Sequence, residues 1–280
     1  MYHHDHRGIA DHVTMKLKSM LESKVTKKEL SSIPSSFDLI GDIAIFNDIP
    51  KEVKKHEKLI AQTIMQINPH IKVVMKKVGK FSGKLRTPKL AIIAGEKRKE
   101  TVHKENGCTL KLNVETCYFS PRLSSERLRI AHLVKKGENV LVLFSGVAPY
   151  PCVLAKNASP KEIQAIELNK AAHNYAEENM QRNKLRNVIL YQGNVKNVLP
   201  KLNKKFDRII MPLPKESPTY LDSAVKKLKP KGTIHLYLFA HEDQYAFLIK
   251  EYKKKFKSVK LTPCGVYAPK ISRVCLDLKN

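Results

Sequence analysis

Apolar runs alternate with amphipathic stretches through the second half of the chain, and this alternation restricts the folds that it can adopt. The runs are ENVLVLFSG, EIQAIELN, NVILYQGN, FDRIIMPLP and TIHLYLFA, and stretches with helical spacing, one of them over 217–232, separate them. Strands and helices in this order predict a doubly wound, mostly parallel sheet. Two strands over 258–280 are expected to form an antiparallel hairpin at its end. We therefore predict a Rossmann-like α/β domain over residues 113–280.

A smaller α+β domain is predicted over residues 1–112. Apolar residues at helical spacing predict one amphipathic helix over 9–30 and another over 53–67. The segment 37–46 alternates around a glycine and predicts strand, turn and strand. Further strands, joined by a glycine-containing turn, are predicted over 71–95.

The charge of the chain indicates a polyanionic partner. The chain has 280 residues, of which 42% are hydrophobic, and a formal charge of +26, so it can bury a core while attracting nucleic acid first and an anionic membrane second. The excess is greatest from Ile71 to Lys99, with ten basic residues and one acid. A Lys-rich solvated surface would give the same pattern. The candidate RNA contacts are Lys76, Lys77, Lys80 and Lys84.

The cysteine spacing and the N-terminal sequence indicate the cellular compartment of the protein. The five cysteines form no CxxC pair, so we expect reduced, mostly buried thiols and no metal site. The N-terminus is polar and His-rich, which is not a signal peptide, although it could be a weak metal-binding tract. The longest apolar runs fall short of the ~18 residues of a membrane span. We expect a soluble cytoplasmic protein with no membrane partner.

A turn with one glycine, FSGVAPYP, follows the first strand of the predicted sheet. Glu167 ends the second strand, 21 residues after Gly146, where an acid accepts hydrogen bonds from ribose hydroxyls. Asn194 follows the third strand, where its amide could read an adenine edge. NAD and a purely structural sheet remain possible, but one glycine suits a ligand without a pyrophosphate, and we favour S-adenosyl-L-methionine. The predicted cofactor-binding residues are Phe144, Ser145, Gly146, Val147, Pro149, Glu167, Leu168, Asn194, Val195 and Met211.

The segment YFSPRLSSER, from Tyr118 to Arg127, places the carboxylate of Glu126 between two guanidiniums. Pro121 suits the first turn of a helix, where its missing N–H costs least. One interpretation is a catalytic carboxylate beside the cofactor strand. The other is a helix N-terminus with an ordinary Glu–Arg surface pair.

A family resemblance favours the catalytic interpretation. YFSPRLSSER, LFSGVAPY, IELN, QGNV and DRIIMPLP, in this order and after SSFDLIGDIAIF, resemble the archaeal and eukaryotic tRNA (guanine-37 N1)-methyltransferases over roughly residues 30–280. The resemblance implies methyl transfer from S-adenosylmethionine to guanine 37 in the anticodon stem-loop of tRNA. It implies Glu126 as the base on N1 and Arg86 at O6. It also implies that Tyr118 and Arg122 are catalytic residues that shape the target-base pocket, with Arg122 helping to fix Glu126, and that Pro212 and Pro214 contact the substrate RNA.

The implied reaction needs these residue types. Guanine N1 carries a proton and becomes a nucleophile when a positioned carboxylate removes it. Negative charge then develops on O6, where an Arg stabilises it. The methylated edge is the Watson–Crick edge, so the base must leave its stack. The reaction requires no metal.

The sequence departs from the family pattern at three places. Val142 stands where the family usually has Asp, and Ala148 stands where it has a second Gly. The loop MPLP replaces NLP. These changes bear on the contacts to the methionine end of the cofactor and to the flipped base.

Other functions remain open. Some relatives methylate a later wyosine intermediate, which would be a second activity of the same site. A wybutosine-pathway aminocarboxypropyl transferase would share the fold and the cofactor. A tRNA-binding protein with a decayed cofactor site would keep the charge and lose the chemistry. We expect a monomer with no obligatory protein partner.

Overall fold

The computed structural model of the chain describes residues 6–79, 87 and 89–280, and gives side-chain positions for all of these except 6–12 and 14. The chain forms two compact units. The first comprises residues 1–105 and 109–122, and the second comprises residues 106–108 and 123–280. The predicted domain boundary between residues 112 and 113 stays a prediction, and the chain passes between the units within 105–123.

A four-stranded sheet forms the centre of the first unit. Its strands are β1 (Asp38–Ile40), β2 (Ile43–Phe46), β3 (Val73–Lys77) and β4 (Leu90–Gly95), in that order. β2 and β3 are parallel, and the outer pairs are antiparallel. Gly41 joins β1 to β2 with φ 57°, and a Cβ there would lie 2.2 Å from Thr101 Oγ1. Only glycine therefore fits this predicted turn.

The helices of the first unit are α1 (His6–Leu21), α2 (Lys27–Ser32) and α3 (Glu57–Ile67). The prediction of one helix over 9–30 was wrong because Thr26 begins a second helix. Its hydroxyl accepts from the Glu29 N–H at 3.3 Å, and Glu29 accepts from the Thr26 N–H at 2.8 Å. This reciprocal cap fixes a new N-terminus. Leu17, Leu21, Phe46, Ile60 and Ile64 are among the side chains that the resulting core buries completely.

A two-stranded ribbon, which the sequence analysis did not predict, follows the first sheet. It consists of β5 (Glu100–Glu105) and β6 (Cys108–Asn113). Asn106 and Gly107 connect them with φ angles of 45° and 75°. An Asn-Gly pair with two positive φ angles is typical of a two-residue hairpin turn.

The second unit contains the predicted sheet. Its seven strands have the order β12-β13-β11-β10-β7-β8-β9. β11, β10, β7, β8 and β9 are parallel, so the predicted doubly wound fold is confirmed. The hairpin of β12 and β13 is antiparallel, and its second strand lies between the first and β11. The strands are β7 (Asn139–Leu143), β8 (Glu162–Glu167), β9 (Val188–Gln192), β10 (Phe206–Met211), β11 (Leu228–His241), β12 (Ser258–Ala268) and β13 (Ile271–Lys279).

Helices connect these strands. They are α4 (Ser124–Leu133), α5 (Pro149–Asn157), α6 (Lys170–Arg182), α7 (Val195–Val198), α8 (Ser217–Val225) and α9 (Tyr245–Lys253). The prediction of a helix over 217–232 was wrong beyond Val225, because Leu228 already pairs with Phe206 in the sheet. Strand order reverses between β7 and β10, and the crevice outside the carboxyl ends of such strands is where open α/β sheets bind ligands.

Candidate active site

The turn after β7 brings backbone N–H groups to this crevice. Phe144, Gly146 and Ala148 have φ angles of 56°, 57° and 65°. The left-handed conformation costs a non-glycine residue about 1–2 kcal/mol. Ala148, one of the departures from the family pattern, therefore stands where glycine would adopt the backbone conformation at a lower cost. It directly precedes α5, whose first residue is Pro149.

Glu167, at the end of β8, closes this turn from the next strand. Its Oε2 accepts from the Gly146 N–H at 2.6 Å, and its Oε1 accepts from the Asn169 N–H at 2.7 Å. Burial raises the pKa of Glu167, and hydrogen bonds from the backbone N–H groups of Asn169, Gly146 and Leu168 oppose that rise. Each carboxylate oxygen has two lone-pair positions. Glu167 could therefore accept a further hydrogen bond from a ribose hydroxyl.

The end of β9 supplies the next wall of the crevice. The Gly193 N–H donates to the Glu167 carbonyl at 2.8 Å. Asn194 caps α7, because its Oδ1 accepts from the Lys196 N–H at 2.9 Å. A contact to an adenine ring would therefore come from the amide nitrogen of Asn194. Val195 is buried behind it.

The remaining predicted cofactor residues differ in exposure. Leu168 is exposed, whereas Ser145, Val147 and Met211 are buried. The ring of Phe144 packs edge-on against Tyr220 at 5.5 Å. Val142 is fully buried in the sheet, beside β8 and β10.

The loop after β10 is anchored from α8. Ser217 is buried, and its hydroxyl donates to the Met211 carbonyl at 2.7 Å. Pro214 is buried and Pro212 is half-buried. The anchored carbonyl holds the start of the MPLP loop at the carboxyl edge of the sheet.

Glu126, in the first turn of α4, is buried with only 4% of its surface exposed. Arg129 donates two hydrogen bonds to its carboxylate, from Nε to Oε2 at 2.7 Å and from Nη2 to Oε1 at 2.8 Å. The Tyr237 hydroxyl donates to Oε1 at 2.5 Å, and Tyr150 donates to the Tyr237 oxygen at 2.8 Å. Burial raises the pKa of both tyrosines well above the ordinary value, so both remain donors. The alternative interpretation of Glu126 as an ordinary surface residue is wrong.

A chain of polar groups, four of them buried and two (Arg129 and Glu138) half-buried, continues from Arg129. Its Nη1 donates to Asp277 Oδ2 at 2.9 Å, and Asp277 Oδ1 lies 2.6 Å from His235 Nδ1. Arg208 Nη1 lies 2.6 Å from His235 Nε2 and pairs through Nε with Glu138 at 2.8 Å. A guanidinium only donates, so His235 Nε2 accepts, and the ring proton is on Nδ1, directed at Asp277. We call Glu126, Arg129, Asp277, His235, Arg208 and Glu138 the buried polar chain.

The pKa shifts along the buried polar chain agree with these roles. Burial lowers the pKa of His235, which favours the neutral ring. Burial opposes ionisation of Asp277, but hydrogen bonds from His235 and Arg129 hold its pKa well below the usual value. Burial likewise disfavours the Arg129 cation, and its bonds to Glu126 and Asp277 outweigh that effect and raise its pKa. In the buried polar chain, carboxylates and guanidiniums thus alternate on either side of the neutral His235.

Ligand atoms of His235, Cys275 and Asp277 lie within 4.8 Å of one another, all in buried residues. Both ring nitrogens of His235 and both carboxylate oxygens of Asp277 already have protein partners. Two guanidiniums flank the group, and a cation there would be repelled. The cluster therefore belongs to the buried polar chain. All five cysteines are free thiols, four of them buried, as expected.

Sequence reasoning found Glu126 and missed the residues that hold it. Arg127, the second guanidinium of YFSPRLSSER, is buried, while Arg129 is the one that grips the carboxylate. Asp277 and Tyr237 are polar residues within otherwise apolar strands, LDLK and HLYLF. A charged residue in a buried strand is rarely left unpaired, and that was the available signal.

In the first unit, the predicted residues form local contacts. Arg122 Nε donates to Asp38 at 2.7 Å, and Tyr118 is 39% exposed. Lys76 pairs with Glu57, and Lys77 donates to the Asn47 side chain at 2.6 Å. Burial lowers the pKa of Lys77, and the positive charge of Arg122 adds to this effect, while Asp38 and Tyr118 oppose it. Arg86, Lys80 and Lys84 lie outside the described residues.

Comparisons with known proteins identify the family of the chain. Residues 101–265 match the family model of the TRM5/TYW2 methyltransferase domain, which is more than half of the chain. The chain belongs to this family. Residues 17–98 match the TYW2 N-terminal domain. The resemblance predicted from the motifs is confirmed.

Curated proteins similar to this chain include a methyltransferase and an aminocarboxypropyltransferase. The chain is 39% identical over 256 residues to the tRNA (guanine(37)-N(1))-methyltransferase Trm5b of Pyrococcus abyssi, which covers 88% of this chain and 75% of that protein. It is 30% identical over 251 residues to the tRNA(Phe) (4-demethylwyosine(37)-C(7)) aminocarboxypropyltransferase of Methanocaldococcus jannaschii, which covers 87% of this chain and 97% of that protein.

Solved structures share the fold. A complex of aTrm5 with tRNALeu has a TM-score of 0.81 at 31% identity, over 94% of this chain and 77% of that chain. Trm5 of Methanocaldococcus jannaschii, in complex with adenosine, has a TM-score of 0.77 at 31% identity, over 94% of this chain and 78% of that chain. No helix among the described residues is long and apolar enough to cross a membrane.

Proposed function

We propose that this chain is a tRNA (guanine-37 N1)-methyltransferase that uses S-adenosylmethionine. The observation that carries the proposal is that one α/β unit holds two positioned carboxylates. Glu167 accepts from the backbone of the turn after β7, and Glu126 is buried and accepts from Arg129 and Tyr237. The Pyrococcus relative and the adenosine complex support the same reading.

Glu126 is the general base in this proposal. Among the described residues, Arg129 and Tyr237 fill three of the four lone-pair positions of its carboxylate, and the remaining one is on Oε2. That oxygen takes the proton from guanine N1. The N1 electron pair forms the new bond to the methyl carbon, the carbon–sulfur bond breaks, and its electrons neutralise the sulfonium. S-Adenosylmethionine supplies the activated methyl group.

The other roles in the proposal follow from the family resemblance and from charge. Arg86 stabilises the charge that develops on O6, and Tyr118, Arg122, Pro212 and Pro214 surround the target base. The lysines of β3 and of the segment after it contact the RNA backbone. Lys76 and Lys77 would exchange their present partners, Glu57 and Asn47, for phosphates. The proposal includes a cytoplasmic location because the substrate is tRNA. It includes a monomer because flipping one base from one anticodon loop needs only one pocket.

The aminocarboxypropyl transferase is the second candidate, supported by the TYW2 N-terminal domain match. That reaction would use the same cofactor and break a different carbon–sulfur bond. The curated methyltransferase is more similar, at 39% against 30% identity, and the alternative is not better supported. Methylation of a wyosine intermediate remains a second activity within the proposal.

Double labelling separates these candidates. S-Adenosylmethionine labelled either in its methyl group or in its carboxyl carbon is incubated with a tRNA transcript that has guanine at position 37, and with a tRNA that has 4-demethylwyosine there. We expect methyl label on the guanine transcript, no carboxyl label on either tRNA, and no label on a transcript with adenine 37. Carboxyl label on the 4-demethylwyosine tRNA would establish the aminocarboxypropyl transferase. No transfer of either label to either tRNA, with tRNA still bound, would establish a binding protein.

The base is tested in the same assay. Glu126→Gln keeps the shape of the side chain and removes its capacity as a base, so we expect the turnover number to fall about 10²–10⁴-fold. Glu178→Gln is the matched control, because Glu178 pairs with Arg182 on the surface of α6. Equal turnover of the two variants would exclude Glu126 as the base.

A further inference from the structure

Two aromatic rings and a guanidinium form a cluster where the β12–β13 hairpin meets the end of β11; Tyr267 is exposed, and Phe239 and Arg273 are half-buried. The rings of Phe239 and Tyr267 lie with centroids 4.0 Å apart and planes inclined by 31°. Arg273 Cζ lies 5.4 Å from the centroid of Phe239. We call Phe239, Tyr267 and Arg273 the aromatic shelf. A stacked pair with a cation beside it is the chemistry that binds the flat face of a base.

The aromatic shelf continues the pairing of β11 with β13, which also positions the residues around Glu126. β11 and β13 place His235 opposite Asp277, Tyr237 opposite Cys275, and Phe239 opposite Arg273. Residues two apart on a strand share a face, so Phe239 lies on the face of Tyr237. It is about 7 Å further toward the carboxyl end of the strand. The shelf is therefore at the edge of the sheet that carries the cofactor turn.

The tip of the hairpin exposes apolar surface that the fold does not use. Tyr267 is 57% exposed, and Val266 beside it is 78% exposed. Two irregularities in the pairing of β12, between Pro263 and Gly265 and between Val266 and Ala268, bend this part of the strand. Bulges next to a site commonly redirect a side chain. An exposed ring held in this way suggests a partner.

The charge around the shelf selects the partner. Residues 258–276 contain Lys260, Lys270 and Arg273 and no acid, within a chain of charge +26. Two acids, Glu242 and Asp243, follow β11 beside Lys270, so the basic excess comes from the hairpin and from the chain as a whole. This charge attracts a polyanion. Removal of a guanine from its stack leaves the neighbouring bases without one of their stacking partners.

From these observations we propose that the aromatic shelf stacks an unpaired base that adjoins the target guanine in the anticodon loop. The proposal rests on the tRNA methyltransferase function. It assigns to the hairpin a role in holding the loop open while the target base is in its pocket.

The test combines kinetics with fluorescence. Transcripts carry 2-aminopurine at position 36 or 38, and its fluorescence falls when it stacks on an aromatic ring. We expect quenching at one of these positions with the unsubstituted enzyme and loss of quenching with Tyr267→Ala. The KM for tRNA should rise about 5- to 150-fold, the range for one base–aromatic stack. The turnover number and the affinity for S-adenosylmethionine should remain within twofold.

Controls separate stacking from other effects of the substitution. Tyr267→Phe keeps the ring and should restore both quenching and KM. Phe247→Ala removes a ring on α9 that is 64% exposed and should change neither. Unchanged KM and quenching in Tyr267→Ala would overturn the proposal. So would a change of sedimentation from dimer to monomer, which would make the shelf a self-association surface. Quenching is measured without methyl transfer, so failure of the proposed reaction would remain distinguishable.

Discussion

Replacing Asp277 by asparagine should disturb Glu126 although the two residues do not bond directly. Asp277 accepts from Arg129 at 2.9 Å and from His235 at 2.6 Å, so both of its oxygens face N–H groups. The amide of asparagine replaces one oxygen by a donor. In either orientation that donor opposes Arg129 or His235. If His235 changes tautomer, its Nε2–H opposes Arg208 instead. Every arrangement leaves two donors facing each other.

The magnitude follows from the loss of one charged partner in a buried pair. Breaking such a pair costs about 3–5 kcal/mol, and one charge-assisted hydrogen bond contributes about 1.5–3 kcal/mol. We expect a loss of about 3 kcal/mol. At about 2–4 °C per kcal/mol for a unit of this size, the melting temperature should fall by about 6–12 °C. Arg129 then loses one of its two anchors, and misplacement of a catalytic group by about 1 Å costs about 10²-fold in turnover.

The assay separates orientation of the base from binding of the cofactor. For Asp277→Asn we expect the turnover number to fall about 10²-fold, with the affinity for S-adenosylmethionine unchanged, because Glu167 is held by the backbone N–H groups of Gly146 and Asn169. Asp207→Asn is the matched control. Asp207 accepts from the Asn139 N–H at 2.8 Å and pairs with Lys229 near the amino-terminal end of β10. Normal turnover in Asp277→Asn would refute the coupling of Asp277 to Glu126 through Arg129.

Two further substitutions test the cofactor site and the histidine. Glu167→Gln should weaken S-adenosylmethionine binding by about tenfold or more, since it removes the charge from a hydrogen bond worth about 1.5–3 kcal/mol; calorimetry measures this, and unchanged affinity would exclude a ribose contact. His235→Asn tests pH dependence. Because burial lowers the pKa of His235, its neutral-state stability is fully present above its unfolded pKa of ~6.5 and is lost as pH falls through the lower folded value. The melting-temperature advantage of the unsubstituted chain over His235→Asn should therefore shrink from pH 8 to pH 5, and a constant difference would contradict a neutral buried ring.

The fold was predictable where the signals are local. The apolar runs from β7 to β11 identified the parallel strands because all of them except the edge strand β9 are largely buried on both faces. The break between α1 and α2 was missed although TKKE, at Thr26, is a capping box. The start of β11 was missed because the pairing of Leu228 with Phe206 depends on a distant strand. The position of β13 beside β11 is likewise a register choice that no local pattern contains.

In the candidate site, too, the residues in local motifs were predictable and those that depend on distant contacts were not. Glu126 and Glu167 were predictable because each lies in a short motif beside a strand end. The partners of Glu126 were not, because Tyr237 is 111 residues away in the sequence and Asp277 meets Arg129 across a separation of 148 residues. Those contacts exist only after β11 and β13 have paired in one register. A shift of one residue would turn His235, Tyr237 and Asp277 to the opposite face.

The buried polar chain also explains how Glu126 is held in place as a base. Arg129 donates to both of its carboxylate oxygens, and Tyr237 adds a third hydrogen bond to Oε1. Asp277 accepts from Arg129, and His235 in turn fixes Asp277. Residues of α4, β11 and β13 therefore fix the Glu126 carboxylate before any substrate binds, and a general base needs such fixed geometry.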